Sequence, residues 1–531
     1  MTTLRDRAER WLASEPDADI ASELRDLLGG DDAILVERFT GRLEFGTAGL
    51  RAAVGAGPQR MNRLVVRQAA AGLARYLLKL YPDAAERGVV IGYDARRKSD
   101  VFASDTARIM AAYGIRSYLF DQKVPTPVVA WAITELNAVA GVVVTASHNP
   151  PADNGYKVYL ADGAQIVPPH DSGISAQISE VDPTATELAS DDDPLIGTVG
   201  DDMIDAYVAS VPKVRLRPEV DGITVAYSAM HGVGGEILMK AFEVSGFPAP
   251  VPVAAQFEPD GSFPTVSFPN PEEPGAMDLL LATAESCGAQ LAIANDPDAD
   301  RLAAAIPTPD GGWRRLEGDE IGWLLADHIL ANTTGDDRLV ITTLVSSSLL
   351  SKMAAAAGIE SVETFTGFKW IARATLDRPD KRLVFGYEQA LGYLVCDQPL
   401  DKDGITAAVL FAELAAVAAA DGVTLQDRLD DIAQRFGLHR LADAAVRMPP
   451  EDGAARVNAL RSNPPAEIAG RAVVSTEDYP DANLLRFYLD GGVRIQVRPS
   501  GTEPKVKIYG EAVDADPQPF VAGLAELLQS S

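Results

Sequence analysis

The sequence predicts an α/β protein built from three α/β domains with mixed sheets and a C-terminal α+β domain. The chain has 531 residues, which is longer than a single hydrophobic core usually serves. Helical and strand patterns alternate in three successive blocks between residues 65 and 420, as in α/β proteins. The remaining sequence instead shows alternating strands and one closing helix. We therefore expect four domains, over residues 1–205, 206–318, 319–440 and 441–531.

The elements are predicted from apolar periodicity and from turn residues. Residues 1 to 40 are expected to be helical, and the acidic segment 182–202 is expected to be a boundary. The predicted helices cover residues 66–80, 99–113, 127–135, 321–330, 348–357, 405–420 and 519–528, with another opening after residues 230–235. The predicted strands cover residues 88–94, 117–120, 142–144, 223–227, 290–295, 339–343, 382–385, 484–489 and 493–497.

Composition and charge limit the kinds of binding partner that we expect for this chain. The net charge of -29 and the pI near 4.5 argue against a general nucleic-acid or anionic membrane surface. Cys287 and Cys396 lack metal-ligand spacing and are expected to be free thiols of a reducing compartment. The N-terminal sequence lacks the apolar core of a signal peptide, and no apolar run reaches membrane-span length. We expect a cytoplasmic monomer or homodimer that acts on small molecules.

A polar turn follows the apolar run Val142–Val144. This run is typical of a buried strand, which Asn149 and the two prolines after it end. Open α/β sheets bind ligands at the carboxyl ends of their strands, so Ser147 and His148 are candidate site residues. The serine hydroxyl could serve as a nucleophile or phosphate carrier beside a base or a metal ion. An ordinary turn between strand and loop explains the same segment.

Three aspartates, Asp296, Asp298 and Asp300, follow the predicted strand 290–295. Carboxylate oxygens suit a hard cation such as Mg²⁺. An EF-hand loop would need Gly and Glu where the chain has Arg301 and Pro307, so that alternative fails. A dehalogenase-like phosphotransferase would need Thr or Val where Asp300 stands. A solvated acidic turn is disfavoured because three adjacent carboxylates repel one another without a cation.

Other polar turns carry weaker signals. The loop from Arg498 to Thr502 offers a cation, hydroxyls and free amides that could cradle a phosphate, although such sequences also form ordinary hairpins. The Gly-rich turn before Arg51 could also face an anion. Glu388 could accept hydrogen bonds from sugar hydroxyls or act as a helix N-terminal acid. The segments 366–369 and 401–404 are similar polar turns, and each contains one lysine.

Taken in order, these segments resemble the α-D-phosphohexomutase superfamily, which includes phosphoglucomutases and phosphomannomutases. The resemblance spans nearly the whole chain and is carried by residues 145–150, 296–301, 386–388 and 498–502. It implies a four-domain, heart-shaped isomerase in which each domain contributes one loop to a central cleft. It also implies a phosphoserine at Ser147 and one Mg²⁺ per chain, held by Asp296, Asp298, Asp300 and a phosphoserine oxygen.

The same resemblance implies the reaction and the remaining roles. Hexose 1-phosphate and hexose 6-phosphate of glucose or mannose are interconverted through a bound bisphosphate, with glucose 1,6-bisphosphate or an equivalent as activator. Lys157, with His148 and Arg51 beside it, occupies the position of the general acid/base; a lysine among cations would have a lowered pKa. The implied substrate-binding residues are Thr366, Gly367, Glu388, Lys402, Arg301, Arg498, Ser500, Gly501 and Thr502.

The sugar loop departs from the common pattern. Many hexomutases have Gly-Glu-Glu-Ser-Gly where this chain has Gly386-Tyr-Glu388-Gln-Ala390. Together with residues 45–51 and 366–369, this loop is closer to the phosphoglucomutase/phosphopentomutase branch. A phosphopentomutase acting on ribose or deoxyribose phosphates therefore remains an alternative, as does a non-catalytic sugar-phosphate sensor. The preferred sugar, the oligomeric state and the resting phosphorylation of Ser147 stay open.

Overall fold

The structure is a computed structural model that describes residues 3–46, 49–499 and 504–530. The first sheet has six strands in the order β1-β5-β4-β2-β3-β6. Strands β2, β3, β4 and β6 run parallel, whereas β5 is antiparallel to both β4 and β1. The strands are β1 Leu50–Ala53, β2 Val89–Tyr93, β3 Ser117–Phe120, β4 Ala140–Val144, β5 Asp153–Leu160 and β6 Ile196–Val199.

Nine helices of the described residues accompany this sheet. Apolar residues of α1 to α6 and of α8 form one core against the sheet, in which Trp11, Ile20 and Leu24 are buried as expected. The apolar residues of α7 and α9 pack into a second core, which is shared with the next two domains. The helices are α1 Leu4–Ser14, α2 Ala18–Gly29, α3 Asp32–Phe39, α4 Arg63–Leu80, α5 Ala84–Arg87, α6 Ser99–Ala112, α7 Thr126–Glu135, α8 His170–Ser179 and α9 Asp201–Ser210. The acidic segment 182–202 is not only a connection, because it contributes the edge strand β6.

The second sheet has the order β11-β10-β9-β7-β8. Strands β7, β8 and β9 are parallel to one another, and β10 is antiparallel to both of its neighbours, β9 and β11. Its strands are β7 Val225–Ser228, β8 Val251–Pro252, β9 Leu291–Ala294, β10 Ala303–Pro307 and β11 Trp313–Arg315. Its helices are α10 Gly235–Val244, α11 Ala254–Phe257 and α12 Asp278–Cys287. The Asp loop, residues 296–301, joins β9 to β10, so it lies at the end of a fully buried strand.

The third sheet has the order β13-β12-β14-β15, with only β15 antiparallel. Its strands are β12 Arg338–Thr343, β13 Glu360–Thr364, β14 Arg382–Glu388 and β15 Gly392–Leu394. Its helices are α13 Gly318–Asn332, α14 Leu349–Ala356, α15 Phe368–Leu376, α16 Gly404–Ala420 and α17 Leu425–Phe436. A single apolar core runs from α7 of the first domain through the second domain into the third.

The alanine-rich helix α16 is the centre of this shared core. Its residues are buried from Gly404 to Ala418, and its buried Glu413 is paired with Arg215 at 2.9 Å and with His328 at 3.0 Å. Within the described part of the chain, no single helix is long and apolar enough to cross a membrane. One bent pair, α16 with α17, meets the length and composition criteria jointly at an angle of 89°.

The fourth domain has its own antiparallel sheet, β16-β21-β20-β19-β18-β17, and its own core. Its strands are β16 His439–Arg447, β17 Glu467–Ile468, β18 Arg471–Tyr479, β19 Leu484–Leu489, β20 Val493–Pro499 and β21 Lys505–Val513. Its helices are α18 Pro450–Ser462 and α19 Gln518–Ser530. Polar contacts tie it to the third domain: Arg494 donates to the Ser346 carbonyl at 2.6 Å, and Ser347 Oγ donates to Glu511 at 2.6 Å. The four-domain α/β architecture is therefore confirmed.

Candidate active site

Ser147 lies in the turn after β4, at the carboxyl end of the first sheet. Its amide donates to Thr145 Oγ1 at 2.8 Å, and its φ of 50° is in the left-handed region that non-glycine residues rarely occupy. The hydroxyl is buried and donates to Asp296 Oδ2 at 2.6 Å. It also lies 3.2 Å from His148 Nδ1. The turn therefore directs a serine hydroxyl at the Asp loop of the second domain.

The three aspartates converge as the sequence predicts. Asp296, Asp298 and Asp300 are completely buried, and ligand oxygens from all three lie within 4.8 Å of one another. Oδ1 of Asp298 and Oδ1 of Asp300 have no hydrogen-bond partner among the residues that the structure describes. Unpaired carboxylate oxygens in a buried cluster are costly unless a cation joins them. The donor set fits a hard, oxygen-preferring cation such as Mg²⁺.

A glycine-rich turn, residues 230–235, packs directly behind the Asp loop. A Cβ atom on Gly232 would lie 2.4 Å from the Pro297 carbonyl oxygen, and one on Gly234 would lie 2.7 Å from Ala299 Cβ. The Val233 amide also donates to the Pro297 carbonyl at 2.9 Å. Gly232 is needed because the two backbones touch there, and Gly234 because a side chain would collide with Ala299. In the sequence the turn was predicted only to open a helix, and its role as a support was missed.

Two lysines from different domains meet at the Asp cluster. Lys157 Nζ, on β5, lies 2.7 Å from Asp298 Oδ2 and 2.8 Å from Asp300 Oδ2. Lys402 Nζ, from the third domain, lies 2.8 Å from the same Asp300 oxygen. Burial alone would lower the pKa of Lys157, but Asp298 and Asp300 raise it above its ordinary value. The expected lowering of this pKa is therefore wrong, because the nearest charges are carboxylates.

The same contacts give the carboxyl groups of Asp296 and Asp298 very different pKa values. Burial, together with the charges of Asp298 and Asp300, raises the pKa of Asp296 well above its ordinary value. Burial also opposes ionisation of Asp298, yet the ammonium of Lys157 holds the pKa of this carboxyl far below its ordinary value. Thr126 Oγ1 contributes a further hydrogen bond to Asp298 at 2.6 Å. Thr126 was not found from the sequence, where it only precedes the predicted helix 127–135.

His148 and Arg51 complete the first-domain side of the site. Burial lowers the pKa of His148 well below its ordinary value, and the charges of Arg301 and Arg51 act in the same direction. The imidazole is therefore neutral at pH 7 and available as a proton acceptor. The exposed Arg51, on β1, donates to Asn149 Oδ1 at 3.0 Å, so its guanidinium lies beside the Ser147 turn.

Three of the four predicted sugar-binding residues of the third domain, Thr366, Gly367 and Glu388, also lie together. Glu388 ends β14, and its Oε1 accepts the Gly367 amide at 3.1 Å. Thr366 precedes this amide and is half-buried. Arg301 Nε lies 4.0 Å from both Asp296 and Asp300, and its amide donates to Asp296 at 3.1 Å. Arg301 therefore borders the Asp cluster.

The fourth domain contributes Arg498 near the end of β20. Burial raises the pKa of Tyr509 to about 12, while Arg498 lowers it and Glu388 raises it. The charges of Arg498 and Glu388 therefore act on the same phenol. Within the described part of the chain, Arg498 Nε has no hydrogen-bond partner. Ser500, Gly501 and Thr502, predicted with it, lie outside the described residues.

The four domains thus bring a serine hydroxyl, three carboxylates, two lysines and Arg498, the arginine of the predicted phosphate-binding loop, toward one region. This arrangement is suited to phosphoryl transfer on a sugar phosphate. Family profiles match the chain in the same order. They are the phosphoglucomutase/phosphomannomutase α/β/α domains I, II and III, at residues 42–185, 205–311 and 317–436, and the C-terminal domain at residues 444–517. The chain belongs to this family, within the α-D-phosphohexomutase superfamily, and is a sugar-phosphate mutase.

Relatives with different printed activities match almost the whole chain. A probable phosphomannomutase of Haemophilus influenzae is 44% identical and covers 88% of this chain and 96% of its own length. Mouse phosphopentomutase and human glucose 1,6-bisphosphate synthase are each 34% identical and cover 98% of this chain and 92% of their own length. A putative phosphomannomutase structure from Thermus thermophilus, 24% identical, has a TM-score of 0.72 and covers 92% of this chain and 99% of its own; it supports the fold.

Proposed function

We propose that the chain is a Mg²⁺-dependent phosphohexomutase that interconverts hexose 1-phosphate and hexose 6-phosphate through a phosphoserine at Ser147. The observation that carries this proposal is the 2.6 Å hydrogen bond from Ser147 Oγ to Asp296, within the buried Asp triplet. A non-catalytic sensor would have no need of a hydroxyl aimed into a cation site. The relatives named as mutases support the same chemistry.

Asp296, Asp298 and Asp300 would hold Mg²⁺ together with an oxygen on Ser147. When bound, the ion would offset negative charge on the transferring phosphoryl group, which is a large part of what such reactions require. Lys157, Lys402 and Arg301 surround the same carboxylates and add positive charge on the protein side. The cluster of cations lets a phosphate dianion enter a chain that is strongly acidic elsewhere.

The reaction would proceed in two balanced transfers. In the first, the bond from phosphorus to Ser147 Oγ breaks, a bond to the free sugar hydroxyl oxygen forms, and that hydroxyl loses its proton. In the second, the bond from the other phosphorus to its sugar oxygen breaks, a bond from that phosphorus to Ser147 Oγ forms, and the freed sugar oxygen takes up a proton. Lys157 is protonated at neutral pH and would donate a proton to the departing oxygen, whereas neutral His148 would accept one.

Substrate orientation would depend on the third and fourth domains. Glu388 would accept hydrogen bonds from sugar hydroxyls, with Thr366 and Gly367 beside it, and Arg498 would hold the phosphate that is not reacting. The predicted loop residues Ser500, Gly501 and Thr502 would complete this cradle. Glucose 1,6-bisphosphate or an equivalent would restore phosphoserine whenever the intermediate is lost.

A phosphopentomutase is the second candidate, because relatives of that name align over 98% of this chain. Phosphorus NMR separates the candidates: the enzyme is incubated with Mg²⁺, a trace of glucose 1,6-bisphosphate, and glucose 1-phosphate, mannose 1-phosphate or ribose 1-phosphate. We expect turnover of a hexose phosphate, with the glucose-to-mannose ratio defining the preferred sugar. Turnover of ribose 1-phosphate alone would favour the pentomutase, and binding without phosphoryl exchange would favour a sensor.

We propose a monomeric or homodimeric cytoplasmic enzyme that binds small sugar phosphates and neither nucleic acid nor membranes, in keeping with the net charge of -29. Sedimentation of the purified protein with DNA and with anionic vesicles would test the partners, and a cosedimenting fraction at physiological salt would oppose this proposal.

A further inference from the structure

Arg96 lies behind the Ser147 turn and has no role in the chemistry described so far. It is buried and follows β2, the strand next to β4 in the sheet. Its guanidinium donates to four carbonyl oxygens of the turn and of the residues after it. Nη2 lies 2.5 Å from the oxygens of Ser147 and Asn149, and Nη1 lies 2.8 Å and 3.1 Å from those of Pro150 and Asp153.

The guanidinium also forms an ion pair with a buried carboxylate. Asp94 Oδ2 lies 3.4 Å from Arg96 Nε, and Asp94 Oδ1 accepts the Arg96 amide at 2.9 Å and Ser99 Oγ at 2.7 Å. A planar fork with five donors in fixed directions can gather several carbonyls at once. An ammonium group is a compact charge that cannot reproduce this pattern. The chain thus places a rigid multi-donor group beneath a strained turn.

The second domain covers Arg96 from the other side. The Phe263 ring centroid lies 5.0 Å from Arg96 Cζ, a distance at which a cation and an aromatic face attract. A Cβ atom on Gly261 would lie 2.3 Å from the Ala95 carbonyl oxygen, so these backbones also touch. The segment that carries Phe263 is thereby held against the Ser147 side of the site.

The same segment leads back to the Asp loop. The Asp260 amide donates to the His231 carbonyl at 2.9 Å. Gly232, which follows His231 in the sequence, packs against Pro297 of the Asp loop. A continuous set of contacts therefore runs from the Ser147 turn, through Arg96 and the Phe263 segment, to the loop that bears the three aspartates.

We propose that Arg96 is a positioning residue that holds Ser147 in its left-handed conformation and sets its hydroxyl relative to Asp296, with Phe263 clamping the guanidinium. This inference rests on the proposed function of Ser147 as a phosphoryl carrier. Ser147 has a φ of 50°, a conformation that persists only when its surroundings enforce it. Loosening the turn would misplace the hydroxyl without removing any group that contacts the sugar.

The test compares Arg96→Lys, Arg96→Ala and Phe263→Leu with Arg97→Ala, whose wild-type side chain is exposed and pairs with Asp19. We measure kcat, KM, melting temperature, and the rate at which glucose 1,6-bisphosphate phosphorylates Ser147, followed by intact mass. Because small displacements of reacting groups cost on the order of 100-fold, we expect kcat and the phosphorylation rate of Arg96→Lys to fall about that much. KM should stay within about twofold, since the sugar contacts remain.

Chemical rescue separates positioning from general destabilisation. In folded Arg96→Ala, added guanidinium ion should occupy the vacated space and restore part of the phosphorylation rate, while ammonium should not. Phe263→Leu should show a smaller loss of kcat in the same direction, and Arg97→Ala should match the wild type. If wild type is phosphorylated at Ser147 and folded Arg96→Lys is phosphorylated equally fast, the inference is wrong. If wild type is never phosphorylated there, the proposed function fails first and takes the inference with it.

Discussion

Replacing Asp298 with Asn tests the proposed cation site with almost no change in shape. Asp298 is completely buried, and its Oδ2 contacts Lys157 at 2.7 Å and Thr126 at 2.6 Å. Its Oδ1 has no hydrogen-bond partner in the described ranges. The amide retains an oxygen for Thr126 but removes one negative charge from the triplet. Lys157 keeps its contact with Asp300 at 2.8 Å, so the variant leaves no isolated buried ammonium. The protein should fold.

The expected effect on Mg²⁺ affinity follows from the lost charge. Two unit charges 4 Å apart attract by about 4 kcal/mol at the effective dielectric constant of a protein site. This energy corresponds to roughly 100- to 1,000-fold weaker binding of the cation. The wild type should gain about 2.7 kcal/mol of stability at a Mg²⁺ concentration 100 times the dissociation constant. Asp298→Asn should need a concentration higher by that same factor to gain as much.

The assay is thermal unfolding across a Mg²⁺ titration, run in parallel with mutase rates. Asp319→Asn is the matched control: Asp319 is also buried and accepts the Ser347 amide at 2.8 Å and Tyr387 Oη at 2.6 Å, away from the triplet. We expect the control to keep the wild-type Mg²⁺ response. An Asp298→Asn variant with wild-type Mg²⁺ dependence in both melting and rate would refute the assignment of the cation site.

Three further changes probe the substrate side and the support of the Asp loop. Glu388→Gln keeps an oxygen for the Gly367 amide but exchanges charged for neutral hydrogen bonds to the sugar, so kcat/KM should fall about tenfold. Burial lowers the pKa of Lys369 to about 8, although the charges of Asp171 and Glu388 act in the opposite direction. Lys369 therefore loses its positive charge as the pH rises through 8. KM for the dianionic substrate should then rise about fivefold between pH 7 and 9. Gly232→Ala forces its Cβ against the Asp loop and should cost about 1–3 kcal/mol in urea unfolding, together with weaker Mg²⁺ stabilisation.

Two of these predictions have a matched control variant. Lys369→Arg should have a KM that is flat over the same pH range, because guanidinium keeps its proton; a rise as steep as that of the wild type would exclude Lys369 as the titrating group. Gly29→Ala should be neutral, since nothing lies within 4 Å of the added Cβ. Equal stability of the two glycine variants would contradict the close packing behind the Asp loop. An unchanged kcat/KM in Glu388→Gln would remove Glu388 from sugar recognition.

The Ser147 turn and the Asp triplet were predictable because each directly follows a short apolar strand. Local sequence identifies such strands, and the carboxyl ends of parallel strands are the expected ligand side. The charge environment of Lys157 was not predictable, because its partners Asp298 and Asp300 belong to another domain more than a hundred residues later. Only the folded chain shows that carboxylates surround this lysine.

Some elements were missed for related reasons. Strand β6 is four residues at a sheet edge, with mixed polar and apolar residues between acidic turns. Strand β16 contains three alanines and is largely exposed, so neither its composition nor its alternation is typical of a strand. Both form because a neighbouring strand supplies hydrogen-bond partners, which a local pattern does not reveal. The support of Ser147 by Arg96 likewise depends on β2 and β4 being adjacent.

The most direct test is to locate the phosphoryl group. Wild type and Ser147→Ala are incubated with Mg²⁺ and glucose 1,6-bisphosphate, digested, and examined by phosphopeptide mapping, with hexose phosphate turnover measured on the same samples. The account predicts phosphate on the peptide containing Ser147 in the wild type. It predicts neither phosphate nor turnover in Ser147→Ala, which should still be stabilised by Mg²⁺. Full mutase activity in folded Ser147→Ala would contradict it.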